Sequence, residues 1–381
     1  MRDDVLTMIP GPTPVRRTIL DALARPTTSH QAPSFVETFR EALDQVKTIV
    51  MSAVGYPFVV SGSGTLAMEM ALVNLVASDE RLLVVSQGYF GDRWAQLAQA
   101  FGIECRLLQA EWGRQVPVER VRREVEHGRY AAVAMTHVDT STGTAAPVEE
   151  YCRALAGRET LLLLDGVCAT GGIEERFDEW GLDVVLTGMQ KALGAPPGLA
   201  ILVVSERALA RRRAIDAVPA YYADLLRWEP VMEDPARYFS TPPVNEVLAL
   251  HEAARLVLNE GLARRFARHD RVAAAMRRGF ERLGLTLFTD ERCRASTLTV
   301  LNYPDRVEDA PFRAVVATHG VVVAGALGPI AGKAFRVGHM GNIGAAEVGR
   351  TVAALGRALD EVGRPVDVDG AVAEALAGLE P

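Results

Sequence analysis

Leu161, Leu162, Leu163 and Leu164 run without a break into Asp165 and Gly166. An apolar run with no polar alternation suits a strand covered on both faces, as in a parallel sheet packed between helices. Asp165 then stands at the carboxyl end of that strand, the edge at which open α/β sheets bind ligands. A second run, Val184-Val185-Leu186, leads into Thr187-Gly188-Met189-Gln190-Lys191. That order predicts a lysine leaving a loop at the same edge.

The same kind of run recurs at Tyr56–Ser61, Leu82–Val85, Glu104–Leu108, Ala131–Thr136 and Leu199–Val204, with helical patterns in most of the gaps, among them Phe35–Val50 and Thr65–Val76. Such alternation predicts a right-handed, mainly parallel seven-stranded sheet. At 381 residues and 49% hydrophobic, the chain suits a large domain plus a small one. Two long amphipathic helices, Glu246–Asn259 and Leu262–Leu283, read as the connection between them. Beyond them, short β runs at Leu285–Phe288, Ser296–Leu301, Gly320–Val323 and Phe335–Val337 alternate with helices near Ala310–Thr318 and Ala345–Val362, an α+β layer on one small sheet. A last helix, Gly370–Leu379, has no role that the sequence assigns. The expected division is an arm over 1–15, a large domain over 16–258 and a small domain over 259–381. The arm, with its Ile-Pro-Gly-Pro-Thr-Pro opening, should be extended and packed on something, and arms of this kind commonly cross to a partner subunit.

Composition narrows the function. A net charge of −7 with interspersed signs gives no basic stripe, which disfavours a nucleic-acid partner. Cys105, Cys152, Cys168 and Cys293 are scattered without CxxC or His clustering, so neither a disulfide framework nor a metal site is expected. The N-terminus lacks a signal-peptide pattern and no apolar run could span a bilayer, so the expectation is a cytoplasmic protein without a membrane partner.

Pyridoxal phosphate suits the pairing of Asp165 with Lys191. Its aldehyde condenses with a lysine amine, and its ring nitrogen needs a carboxylate to stay protonated and electron-withdrawing. Only Lys47, Lys191 and Lys333 are lysines among 41 basic residues. Lys47 falls in a polar amphipathic helix and Lys333 in a glycine-flanked turn; Lys191 alone sits in a tightly shaped Gly/Ala/Pro segment. Taken singly, Asp165 reads equally as a helix N-cap and Lys191 as a surface loop residue.

Ser63, Gly64 and Thr65 join the first β run to an apolar helix. Strand, glycine-rich turn and helix start can cradle a phosphate on free N–H groups, or can be a plain turn with Ser/Thr capping. The GxxxxGK[ST] and GxGxxG spacings are absent, which disfavours nucleotides. Tyr89 and Phe90 follow Gly88 at another strand-to-helix turn, and Thr136 to Gly143 ends a further strand with hydroxyls, His137 and Asp139. His137 is either a satisfied core histidine or a catalytic one. Arg336 lies inside an apolar strand, where a guanidinium needs an anion: a substrate α-carboxylate or an internal acid. The irregular aromatic stretch from Pro219 to Val244 reads as functional or interfacial.

These motifs, in this order, resemble the class V aminotransferases of fold type I, within them the alanine/serine-glyoxylate group. The carrying residues are Pro10 to Pro14, Ser61 to Thr65, Gly88 to Gly91, Thr136-His137 with Ser141-Thr142-Gly143, Asp165-Gly166-Val167, Gln190 to Gly198, Tyr238 to Pro243 and Arg336 to Gly341. The resemblance implies a homodimer with shared active sites. Lys191 and Asp165 would be catalytic, and Ser63, Gly64, Thr65, Val167 and Gln190 would hold the cofactor. Phe90 would stack on its ring, with Tyr89 facing elsewhere, and Thr140 would hydrogen-bond it, while His137 and Asp139 line the edge. Tyr238 and Thr241 would reach the other subunit's phosphate, and Arg336 would anchor the substrate carboxylate. The implied reaction moves an amino group from alanine or serine to glyoxylate or pyruvate. Ureidoglycine-glyoxylate, aminoethylphosphonate-pyruvate and pyridoxamine-pyruvate exchange share much of the motif set. A desulfurase of the same fold would need a nucleophilic loop cysteine, and none of the four suggests one. No second arginine stands in a matching motif, which disfavours 2-oxoglutarate as acceptor.

Overall fold

The structure, a computed structural model, describes residues 5–379. The first four residues of the expected arm lie outside them. Seven strands form the central sheet: β1 (Tyr56–Ser61), β2 (Arg81–Ser86), β3 (Glu104–Gln109), β4 (Ala132–Thr136), β5 (Leu161–Asp165), β6 (Val184–Gly188) and β7 (Leu199–Val204). Their spatial order is β1-β7-β6-β5-β4-β2-β3. All neighbours run parallel except β7, which is antiparallel to both β1 and β6. The chain steps outward from β2 to β3 and then returns to lay β4 on the other side of β2, which makes the switch point where such sheets bind ligands.

Burial explains why these runs are continuous. Leu162, Leu164, Val185 and Ile201 point into one apolar cluster, and Leu161, Leu163, Leu186 and Leu202 into another on the opposite face. A strand with helices on both sides has no polar face to present. The first cluster is covered by α1 (Pro33–Ile49) and α4 (Val244–Glu260), the second by α2 (Gly64–Leu75) and α3 (Tyr89–Ala100).

A further cluster gathers α5 (Leu262–Arg282), α6 (Ala345–Glu361) and the last helix, α7 (Val368–Leu376). The last helix closes this core: Ala371 and Ala375 are buried, and a side chain on Gly279 of α5 would meet Ala375. Beside these helices lies a three-stranded antiparallel sheet, β8 (Leu298–Asn302), β10 (Ala334–Gly338) and β9 (Ala324–Gly325), in that order. Two expectations change here. The run Leu285–Phe288 makes a single bridge, Leu287 to Leu301, because Gly284 in a left-handed conformation precedes it and an Asp290-capped turn follows. The run Gly320–Val323 serves a separate ribbon, Val321–Val322, instead of the small sheet.

That ribbon is completed by the arm. Leu6 and Thr7 pair in parallel with Val321 and Val322, and Leu6 and Met8 are buried in the same cluster. The arm therefore lies on its own subunit as a short strand. Gly338 of β10 donates its N–H to the Met8 carbonyl at 2.8 Å, and a Cβ at Gly338 would fall on the Ile9 carbonyl. Gly338→Ala should push the arm off the sheet edge, at about 1–3 kcal/mol of stability. A thermal melt checks this, and an unchanged Tm would mean that the arm is not held there.

Candidate active site

Five strand ends converge on one cleft of about 150 Å³. Its lining includes Ser63, Gly64 and Thr65 after β1, Phe90 and Arg93 after β2, and Thr140 after β4. Asp165 and Val167 after β5 and Gln190 and Lys191 after β6 complete it. The structure thus brings together nine of the twelve residues that the sequence singled out, together with Met68, Val138, Arg93 and Cys168, which it did not.

Asp165 is 4% exposed. One carboxylate oxygen accepts the Val167 N–H at 2.9 Å, and the other has only the Thr136 hydroxyl at 3.4 Å. No cation pairs with it among the described residues. Burial, reinforced by the charges of Asp139 and Glu175, pushes its pKa up to about 7. A buried carboxyl in this condition is matched by a cationic N–H.

The main chain of the lysine loop is held from two directions. Thr13 of the arm donates its N–H to the Gln190 carbonyl at 3.1 Å and its hydroxyl to the Lys191 carbonyl at 2.8 Å. Arg265, 2% exposed on α5, donates to the carbonyls of Ala192 at 2.5 Å and Gly171 at 2.7 Å. Its neighbour Arg268 holds Gly341 and Ile343 in the same way, and Glu260 pairs with both arginines. His269 is kept neutral by burial, its pKa pushed down to about 3, so that it accepts the Gly341 N–H at 3.0 Å. The side chain of Lys191 has no carboxylate partner among the described residues; its Nζ donates to the Pro10 carbonyl at 2.5 Å. Gly11, at φ +114°, packs so closely that a Cβ would lie 2.5 Å from the lysine Cδ.

At the start of α2 the Ser63 side chain makes no capping bond, which leaves both hydroxyl and helix-end N–H groups free. A Cβ on Gly64 would stand 2.6 Å from Val167, so only glycine keeps that floor open. The Gln190 side-chain oxygen is buried without a partner. An uncapped helix end, an unpaired buried carboxyl opposite it and a lysine free of acids fit the phosphate, ring nitrogen and aldehyde of pyridoxal phosphate.

Other predicted residues lie elsewhere. Tyr238 is 61% exposed, 3.4 Å from the Thr241 hydroxyl, and neither lines the cleft. Arg336 is half-buried and does not line the cleft. It donates to the Gly325 carbonyl at 2.8 Å and to that of Thr140 at 3.4 Å, and it has no acid partner among the described residues. Burial pulls its pKa down, a shift that an arriving anion would reverse. His137 does not face the cleft lining; its Nδ1 lies 2.8 Å from Glu175, which also accepts from Thr170. Asp139 is fully buried and accepts the N–H groups of Phe90 and Gly91, both at 2.9 Å, which pins the start of α3.

Arg93 lines the cleft although the sequence reading did not single it out. Its signal was available: Phe90 and Arg93 are three apart on one helix and therefore share a face. The Pro10 carbonyl, a backbone group, had no signal to give.

The family described as aminotransferase class-V matches residues 18–336. The chain belongs to the class-V aminotransferases. An uncharacterized aminotransferase of Methanocaldococcus jannaschii is 36% identical over 367 residues, 96% of this chain and 95% of its own. Alanine–glyoxylate aminotransferase 1 of Saccharomyces cerevisiae is 34% identical over 355 residues, 88% of this chain and 91% of its own. The crystal structure of ureidoglycine-glyoxylate aminotransferase from Bacillus subtilis superposes with a TM-score of 0.93 at 28% identity, covering 98% of this chain and 97% of that one. This aminotransferase accordingly has the type I fold and uses pyridoxal 5′-phosphate. No helix among the described residues is long and apolar enough to cross a membrane, and no cluster of side chains there could hold a metal ion.

Proposed function

We propose that the enzyme moves an amino group from a small amino acid, alanine or serine, to a small 2-oxo acid, glyoxylate or pyruvate. The observation that carries this is the meeting of Lys191 and Asp165 in one cleft beside the uncapped start of α2. When bound, pyridoxal phosphate supplies an electron sink for the bonds at the amino acid's Cα. Lys191 would hold the cofactor and its Nζ would move a proton at the substrate Cα, with the Pro10 carbonyl orienting that amine. Asp165 keeps the ring nitrogen charged. Ser63, Gly64, Thr65 and Gln190 take the phosphate, Phe90 covers the ring, and Val167 and Thr140 complete the wall. Arg336 receives the substrate α-carboxylate through its planar fork.

The arm laid over Lys191 favours short acids. Burial raises the pKa of every cysteine, Cys105 to about 11 and Cys152 to about 12, the reverse of an activated thiolate. That disfavours the desulfurase reading. All four thiols are free, which supports a reducing, cytoplasmic setting.

The same reading includes a homodimer. Tyr221 and Tyr238 are 67% and 61% exposed, and Tyr238 and Thr241 would complete the partner's phosphate site. It includes the division into an arm over 1–15, a large domain over 16–258 and a small one over 259–381, supported by the separate apolar cluster of the later helices.

Arg336→Lys, which keeps the charge and loses the fork, should lower kcat/KM about 10- to 100-fold for every acid alike. The check is kcat/KM for glyoxylate, pyruvate and 2-oxoglutarate with alanine and serine as donors. A wild-type preference for 2-oxoglutarate refutes the small-acceptor reading, and a fully active variant refutes the anchor.

A further inference from the structure

Arg93 has no place in the roles assigned above. It extends from α3 into the cofactor cleft, with its guanidinium carbon 5.0 Å from the Phe90 ring centre and 5.4 Å from that of Tyr89. Its Nη1 donates to the Thr65 hydroxyl at 3.3 Å, one residue inside α2. No carboxylate pairs with it among the described residues; the adjacent Asp92 instead accepts from Ser86 and Gln109. A guanidinium is thus held beside the positive end of a helix, an arrangement that is unfavourable until an anion enters.

Charge balance identifies the anion. Among the described residues, Lys191 and Arg93 are the only cationic side chains lining the cleft, and Asp165 is the only anionic one. With Lys191 committed to the aldehyde and Asp165 to the ring nitrogen, a phosphate dianion at the start of α2 is left with the helix end and Arg93. A substrate's distal carboxylate fits less well, because Arg93 is tied to Thr65 whereas the proposed carboxylate anchor, Arg336, bonds Thr140. We propose that Arg93 is the fixed counter-charge of the cofactor's phosphate, held in register by stacking on Phe90. The inference rests on the placement of pyridoxal phosphate in this cleft.

The test compares cofactor-free wild type, Arg93→Gln and Arg93→Lys for affinity towards pyridoxal phosphate and pyridoxal, which lacks the phosphate. Loss of a charge-assisted contact should weaken pyridoxal phosphate about 10- to 100-fold in Arg93→Gln and leave pyridoxal within about twofold. Arg93→Lys should fall between, which guards against a misfolded glutamine variant. Inorganic phosphate should raise the Tm of cofactor-free wild type and not that of Arg93→Gln. Equal weakening of both ligands would reduce Arg93 to a buttress for Phe90. Unchanged cofactor affinity with selective loss of dicarboxylic acceptors would make it a substrate residue. Either result overturns the proposal while leaving the cofactor site intact. A wild type that binds neither ligand would instead refute the site itself.

Discussion

Lys191→Ala should leave a folded protein that holds pyridoxal phosphate only reversibly and turns over about 10⁴-fold more slowly, since it lacks the group that carries the proton. Folding should survive because the loop is fixed through its main chain. Thr13 and Arg265 bind the carbonyls of Gln190, Lys191 and Ala192, and none of these contacts uses the lysine side chain. The side chain's own hydrogen bond, to the Pro10 carbonyl, is one charge-assisted contact, worth about 1.5–3 kcal/mol. Lys47→Ala and Lys333→Ala should change nothing. Lys47 lies on α1, which covers the sheet away from the cleft, and Lys333 is exposed with a single weak bond to the Pro329 carbonyl. Borohydride reduction followed by peptide mapping decides the matter. A pyridoxyl group found on Lys47 or Lys333 would end the assignment.

How far the sequence reached follows from where the physics is local. Strands such as Leu161–Asp165 and Leu199–Val204 are buried on both faces, so composition alone marks them, and all seven stand within a residue or two of their expected ends. Lys191, Asp165 and the Ser63–Thr65 turn were legible because each residue type has few reasons to stand where it does. The small sheet was less legible. Val321 and Val322 read like any β run, yet their partner is the arm some 300 residues earlier, and nothing local names that partner. Leu285–Phe288 looked like a strand but has room for one bridge between a left-handed glycine and a capped turn. In the site, the groups missed act through backbone or register. The Pro10 carbonyl has no side-chain signature, and Arg93 carried only the three-residue spacing that sets it on the helix face of Phe90. Tyr238 and Thr241 lie outside the cleft lining of the single chain, and the roles proposed for them need a second subunit.

Asp165→Asn should keep the shape of the cleft and lose two to four orders of magnitude in turnover. Asparagine is nearly the same size and can still accept the Val167 N–H, so the loop after β5 should hold. What disappears is the charge proposed to keep the ring nitrogen protonated. Breaking a paired buried charge costs about 3 to 5 kcal/mol, which gives that range if it is felt in the transition state. The cofactor-free protein offers a second readout with a definite sign. The folded-state pKa of Asp165 is raised to about 7 by burial, above the ordinary carboxyl value of 3.8. Its contribution to stability is therefore fully present below about pH 4 and is lost as pH rises through about 7, by an upper bound of about 4 kcal/mol. The cofactor-free wild type should lose Tm between pH 5 and pH 8, and Asp165→Asn, with nothing to ionise there, should lose less. Adding pyridoxal phosphate should flatten the wild-type profile, because a cationic partner stabilises the carboxylate. Unchanged turnover in the variant would mean that another acid serves the ring nitrogen, and identical pH profiles would mean that Asp165 is already ionised in the empty cleft.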